Sequence, residues 1–270
     1  MSNSYRNGET VASDIATDRA LLYGDGVFTT IVIKDQKALF IEEHFKRLLD
    51  NCQQLKIINL PLDEIKISFS SAIEHIKQGI VRITVARSSG ERGYFCANPK
   101  PVFWITSSDW PVHIQLFRAS GINVRYCEQR LSQNPSLAGI KHCNRLEQVL
   151  ARNEWQSDDY QEGLMLDTQG HLIEGTMSNL FIIKNNLLIT PTLTLSGVKG
   201  IMRQKVIEIA QSEGIEVNIM DIKPEDLKSA EAAFVTNSVI GIWSINKIEN
   251  HSFTKNPLIE KLQQSLHKFI

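Results

Sequence analysis

The sequence predicts an α+β protein in two halves. Two observations carry this. Apolar residues alternate with period 2 in some stretches and recur with helical spacing in others, in both the first and the second part of the chain. A short segment, "HIQLFRASG", joins the two parts without any long linker, repeat or low-complexity run. The expected boundaries are 1–113 for an N-terminal α+β domain, 114–120 for an interdomain linker and 121–270 for a C-terminal domain.

In chain order, "GVFTTIVIKDQKALFI" reads as a β-rich run that turns at "KDQK" and returns. A helix follows from Glu42 to about Lys56, with Phe45, Leu48, Leu49, Cys52 and Leu55 on its apolar face. "LPLDEIKISFSSAIEHIKQG" is a second helix with an acidic first turn. "IVRITVARSSG" alternates as a strand, and "PVFWITSSDW" reads as a short buried one. "INVRYCEQRL" opens the second half as a strand, and the segment after Lys141 reads as a helix with Leu146, Val149, Leu150 and Asn153 turned inward. "EGLMLDTQGHLIEGT" and "SNLFIIKNNLLITP" are hairpins turning at "DTQG" and "KNN". "GIMRQKVIEIAQSEG" is a helix closing on Gly214, "GIEVNIMDI" a strand, "EAAFVTNSVIGIWSI" a strand with a loop, and "LIEKLQQSLHKF" a final helix.

Composition narrows the function. Hydrophobic residues make up 42% and charged residues 22% of 270, as in an ordinary globular protein. A formal net charge of -1 gives no basic bias toward nucleic acid. No stretch approaches the roughly 20 apolar residues of a membrane span, and the polar N-terminus lacks a signal-type apolar run. The expectation is a cytoplasmic protein acting on a small molecule, with no nucleic-acid or membrane partner. None of the four cysteines shares a C-x-x-C spacing, and the seven histidines form no H-x-x-x-H pair, so no metal is expected. His142 and Cys143 are adjacent, but neighbours on a helix point about 100° apart, which argues against a thiol–imidazole dyad.

Four separated pieces carry chemistry. Lys141 follows Gly139 and Ile140 where the chain turns inward, and a lysine drawn out of water becomes a usable amine. Glu174 ends a hairpin in "LIEGTMSNLF". In "SGVKGIMRQ" a glycine-flanked loop opens a helix at Gly200, Ile201 and Met202, whose free N–H groups suit a phosphate. Arg47 in "HFKRL" offers a planar guanidinium to phosphate oxygens. Each alone has an ordinary alternative: a surface lysine, a surface carboxylate, a plain helix start, a solvated arginine. Together they meet the needs of pyridoxal 5'-phosphate, which requires an amine for its imine, a carboxylate for its pyridine nitrogen and a phosphate clamp.

The motifs "GDGVF", "HFKRL", "LAGIKHCNRLEQVLA", "EGTMSNLF", "GVKGIMRQ" and "FVTNS" occur in one order from Tyr23 to Ile245. In this the chain resembles the fold-type IV pyridoxal-phosphate enzymes, which include branched-chain and D-amino-acid aminotransferases and the aminodeoxychorismate lyases. The resemblance implies the D-amino-acid aminotransferase-like fold, with a smaller N-terminal α/β sandwich and a larger C-terminal pseudo-barrel, and a homodimer. "RLSQNPSLAGIKHCNRLEQVLAR" and "RSSGERGY" are most similar to the lyase branch. Thr29 stands where the aminotransferases carry a glutamate, and "NRLEQ" replaces their tyrosine after the lysine.

By this resemblance Lys141 carries the cofactor and then serves as proton-transfer base, Glu174 pairs with the pyridine nitrogen, and Arg47 with the amides of Ile201 and Met202 after Gly200 holds the phosphate. Ser238 is either a further cofactor contact or a strand-end turn serine. Arg87 and Arg92 are candidates for the two substrate carboxylates, and solvated loop arginines are the alternative for each. Thr29 and Asn144 would orient the substrate or Lys141, although threonine is also an ordinary strand former. The implied reaction converts 4-amino-4-deoxychorismate to 4-aminobenzoate and pyruvate in folate synthesis. Two rivals are an aminotransferase of the same fold and a cofactor-free binding protein descended from it.

Overall fold

The computed structural model describes residues 18–87, 93–96 and 100–267, and the backbone of 4–6 and 9–11. The chain forms two compact units. The first comprises residues 1–110 and 141–144, the second 111–140 and 145–270.

In the first unit, β1 (Ser4–Arg6) and β2 (Glu9–Val11) make a small antiparallel pair. Helix α1 (Arg19–Tyr23) starts where the Asp18 carboxylate accepts from the Ala20 N–H, and stops at Gly24 with φ 61°. Strand β3 (Gly26–Lys34) turns through Asp35 and Gln36, φ 50° and 61°, into β4 (Lys37–Ala38). Helix α2 (Ile41–Gln54) buries His44, Phe45, Leu48 and Cys52 and lies on β3. Helix α3 (Leu62–Ile73) meets it through Phe45 and Phe69, ring centres 5.9 Å apart and edge to face. Strands β5 (Gln78–Ala86) and β6 (Val102–Ser108) complete an antiparallel sheet of order β4-β3-β5-β6. β6 was expected to be buried. It is an edge strand with most side chains exposed or half-buried, because a short apolar run does not reveal which of its faces is covered.

The second unit opens with α4 (His113–Ser120), so the residues expected as a linker are helical. β7 (Ile122–Leu131) and α5 (Leu146–Arg152) follow. Next come β8 (Glu162–Asp167), β9 (Leu172–Gly175), β10 (Asn179–Lys184) and β11 (Leu187–Pro191). Asp167 ties the β8–β9 turn by accepting from the N–H groups of Gln169 and His171. The β10–β11 turn uses Asn185 and Asn186 at positive φ. Helix α6 (Ile201–Ser212), β12 (Val217–Met220), α7 (Pro224–Lys228), β13 (Ala232–Asn237), β14 (Gly241–Ile248), β15 (His251–Ser252) and α8 (Pro257–His267) complete the chain.

Strand pairing closes a ring, β7-β8-β9-β10-β13-β14 and back to β7, which is the expected pseudo-barrel. β11 and β12 extend from β10, and β15 pairs with β14. The core of this unit holds Trp243 and the stacked pair Phe181–Phe234. Helix α5 departs from expectation. Leu146, Val149 and Leu150 are 68%, 50% and 51% exposed, and Ala151 is the residue it buries, beside Cys127 and Trp155. Helical spacing groups residues on one face without saying which face is covered.

Candidate active site

Lys141 is not at a helix start. Residues 141–144 run alongside β3 in the first unit, and His142 forms an antiparallel bridge with Val27. The Phe28 N–H donates to the Lys141 carbonyl at 3.0 Å, and the Cys143 N–H donates to Gly26 O at 2.8 Å. The Lys141 N–H donates to Asn51 Oδ1 on α2 at 3.0 Å. The helix waits until Leu146 because these backbone groups already have strand partners. Lys141 Nζ lies 4.6 Å from the Phe28 ring centre.

Beside it, β3 and α2 bring Thr29, His44 and Arg47 together. His44 and Arg47 are three apart on α2 and share a face. Arg47 Nη2 donates to Thr29 Oγ1 at 2.7 Å, and the same oxygen is 2.6 Å from His44 Nδ1. Burial lowers the basicity of His44 well below its ordinary value, reinforced by the nearby Arg47 and Lys141 cations, so the imidazole is neutral. Burial also lowers Arg47 to about 10. Arg47 has no carboxylate partner among the described residues, and its Nε is buried without a hydrogen bond there. A desolvated guanidinium with an unused N–H is a place for an oxyanion.

Of the two expected carboxylate-binding arginines, Arg92 lies outside the described residues. Arg87 is engaged at all three nitrogens. Nε donates to Asp25 at 2.9 Å, Nη1 to Lys56 O at 2.8 Å and Nη2 to Leu55 O at 2.5 Å. Asp25 also receives Arg19 Nε at 2.8 Å, and Arg19 in turn holds the carbonyls of Gly93 and Tyr94. Asp25 and Arg87 thus fasten the unit together. Arg82 has an exposed guanidinium that lies over the Phe28 ring at 3.8 Å, the ring that Lys141 Nζ also approaches. Strand alternation places it diagonally across from Phe28, since Arg82 pairs with Thr30 and Thr84 with Phe28. Asn144 donates from Nδ2 to Gly24 O at 3.3 Å, and a side chain at Gly24 would strike it.

In the second unit, Glu174 is 4% exposed at the end of β9, and its Oε2 accepts from the Val198 N–H at 2.8 Å. Gly197, at φ 81°, brings that backbone close: a Cβ there would press on Ile173 and Leu193. Gly139 pairs with this loop, donating to Gly197 O at 2.9 Å and accepting from the Lys199 N–H at 3.1 Å. Gly200 caps α6, and Ile201 and Met202 form its first turn with no side-chain cap on their amides. Asn179 donates to Val198 O at 2.9 Å and packs so tightly on Gly200 that a Cβ there would collide with it. Ser238 is half-buried in the turn after β13.

His44, Arg82 and Glu162 escaped the sequence reading. Glu162 is fully buried and accepts from Gly163 N, Thr176 N, Thr176 Oγ1, Met177 N and Ser178 Oγ, with distances of 2.5 to 3.3 Å. It fixes the turn that follows Glu174. Its only signal was a charge at the head of the apolar run "EGLMLD". His44 stood in the quoted "HFKRL" at helical spacing from Arg47, which was the available signal for it.

Among the described residues no cluster of His, Cys, Asp and Glu is arranged to hold a metal, and no helix is long and apolar enough to cross a membrane. The family described as amino-transferase class IV matches residues 26–248. The aminodeoxychorismate lyase of Vibrio harveyi is 36% identical over 259 residues, covering 93% of this chain and 94% of that protein. A putative branched-chain-amino-acid aminotransferase of Methanocaldococcus jannaschii is 31% identical over 277 residues, covering 98% and 94%. The crystal structure of 4-amino-4-deoxychorismate lyase from Pseudomonas aeruginosa superimposes with a TM-score of 0.90 at 33% identity, covering 97% of this chain and 96% of that one.

Proposed function

The chain belongs to the amino-transferase class IV family, and from that membership we propose that it is a pyridoxal-phosphate-dependent aminodeoxychorismate lyase that forms 4-aminobenzoate and pyruvate for folate synthesis. The observation that carries this proposal is the likeness, over nearly the whole chain, to lyases of that name in both sequence and fold. The aminotransferase relatives match less closely.

The residues suit the cofactor. Arg47 is a half-buried cation whose Nε is buried without a hydrogen bond among the described residues, α6 opens without a side-chain cap, and Glu174 accepts from Val198 through one oxygen. In this proposal Arg47 and the amides of Ile201 and Met202 bind the phosphate, with Ser238 as a further contact, Glu174 accepts the pyridinium proton's hydrogen bond, and Lys141 attaches the cofactor. Bound pyridoxal phosphate supplies an electron sink beside the amine-bearing carbon of the substrate. Lys141 Nζ, freed once the substrate amine replaces it, would take the proton from that carbon. Enolpyruvate would leave from the neighbouring carbon as the substrate ring becomes aromatic, and would become pyruvate by taking a proton on its methylene carbon, which restores the proton balance. Aromatisation supplies much of the driving force, so positioning is the protein's main task. Thr29 and Asn144 orient these groups, Thr29 through Arg47 and Asn144 through the 141–144 segment. Arg87 keeps its candidacy for one substrate carboxylate, and Arg82, which shares the Phe28 ring with Lys141, is a further candidate. Arg92 keeps its candidacy for the second carboxylate.

The proposal includes a homodimer, supported by the exposed apolar row Leu146, Val149 and Leu150 on α5. It also includes a cytoplasmic setting, in keeping with four free cysteines. The test is incubation of the purified holoenzyme with aminodeoxychorismate. Equal yields of 4-aminobenzoate and pyruvate support the proposal. Absence of both products, with turnover of an amino acid and 2-oxoglutarate, refutes it.

A further inference from the structure

We infer that His44 is a positioning residue for the anion clamp: through the Thr29 hydroxyl it orients the Arg47 guanidinium and so sets how tightly a phosphate is gripped. This rests on the proposal that Arg47 receives the cofactor's phosphate, and goes beyond it in giving His44 and Thr29 a shared task.

Hydrogen-bond direction follows from chemistry. Arginine only donates, so Thr29 Oγ1 accepts from Arg47 Nη2. The hydroxyl keeps one proton to place, and His44 Nδ1 stands 2.6 Å away. In this inference Nδ1 accepts, which requires a neutral ring with its proton on Nε2, a nitrogen that is buried without a partner among the described residues. The groups around the ring agree with neutrality. The charged residues facing it are Arg47 and Lys141, both cations, and burial disfavours a third positive charge. Thr29 is fully buried and His44 is 1% exposed, so water does not compete for the relay.

The consequence falls on Arg47. Thr29 anchors one terminal nitrogen of the guanidinium, while Nε is buried without a partner among the described residues. With the hydroxyl proton committed to His44, its lone pair stays aimed at Nη2. Without His44 that proton loses its acceptor and the hydroxyl rotates. Arg47 then has to be ordered by the anion itself, which costs side-chain entropy on binding.

The test compares two ligands of the full-length apoprotein, pyridoxal phosphate and pyridoxal, which share the aldehyde and differ in the phosphate. Their dissociation constants are measured for wild type, His44→Leu, Thr29→Val, His44→Asn and Arg47→Met. His44→Leu and Thr29→Val are expected to weaken pyridoxal phosphate about tenfold, equivalent to about 1.4 kcal/mol. Pyridoxal should stay within about twofold. His44→Asn should recover most of the loss, because its Oδ1 accepts near the place of Nδ1. Thr29→Val changes little volume, so it decides the matter if His44→Leu does not fold. A wild-type ratio between the two ligands in Thr29→Val, or equal losses for both ligands, overturns the inference. If Arg47→Met also keeps the wild-type ratio, Arg47 is not the phosphate clamp, and the proposed cofactor assignment fails with it. If only Arg47→Met changes the ratio, the assignment stands and the role of His44 is wrong.

Discussion

Lys141 owes its placement to backbone pairing with β3 and to Asn51, which hold its amine against the Phe28 ring. Borohydride reduction of the holoenzyme followed by peptide mapping should place the cofactor label on Lys141. Lys199 is the competing site, but its side chain is packed over Gly139, and a label there would refute the assignment. Glu174→Gln should keep the cofactor bound yet lose turnover by at least tenfold, since a neutral amide does not hold a pyridinium proton. Parallel kcat and cofactor-affinity measurements check this, and unchanged turnover contradicts it. His44 makes a separate prediction about pH. Its folded basicity lies below that of the unfolded chain, so the unfolded state takes up a proton first as pH falls. The stability is intact above about pH 6.5 and declines below it by up to about 1.4 kcal/mol per pH unit. Denaturant unfolding at pH 7 and pH 5 should show a smaller acid loss for His44→Asn than for wild type. Lys141, Glu174 and Arg47 could be proposed from the sequence because each sits in a quotable motif. The use of Arg87 as a fastener and of Arg82 as the residue on Phe28 was not, since strand register and the paths of Leu55 and Lys56 decide both.

At the scale of elements, the hairpins and long helices were legible because their turn residues and apolar spacing are local signals. The asparagine turn after β10 and Gly214 after α6 fall where the sequence places them. Whether an element's apolar face is covered depends on the rest of the fold. That is why β6 and α5 turned out more exposed than their composition implied. Glu162 is the clearest case of a charge serving an element. Five donors converge on it, four of them from Thr176, Met177 and Ser178 in the turn between β9 and β10. In Glu162→Gln an amide NH2 meets donors that need an acceptor, so stability should fall by about 2–4 kcal/mol. Urea unfolding measures this, and a change within about 0.5 kcal/mol would contradict the role. Gly200→Ala should displace Asn179 from Val198 and disturb the first turn of α6, weakening cofactor binding more than it lowers the thermal midpoint.

On the scale of the whole molecule, a four-stranded sheet unit and a closed six-stranded unit are built from one chain that returns Lys141–Asn144 to the first unit. This excursion had no signal in local sequence patterns, because it depends on a bridge between His142 and Val27, far apart in the chain. Lyase and aminotransferase share this architecture, and in the proposed mechanism the two outcomes differ in where a proton goes after its removal from the substrate. A tenfold preference needs only about 1.4 kcal/mol, so small differences in placement separate them. The most direct measurement is the ratio of kcat/KM for aminodeoxychorismate to that for a panel of L- and D-amino acids with 2-oxoglutarate. A lyase gives a large ratio, with pyruvate and 4-aminobenzoate formed in equal amounts. A panel member that surpasses aminodeoxychorismate would contradict the lyase assignment and make the protein an aminotransferase.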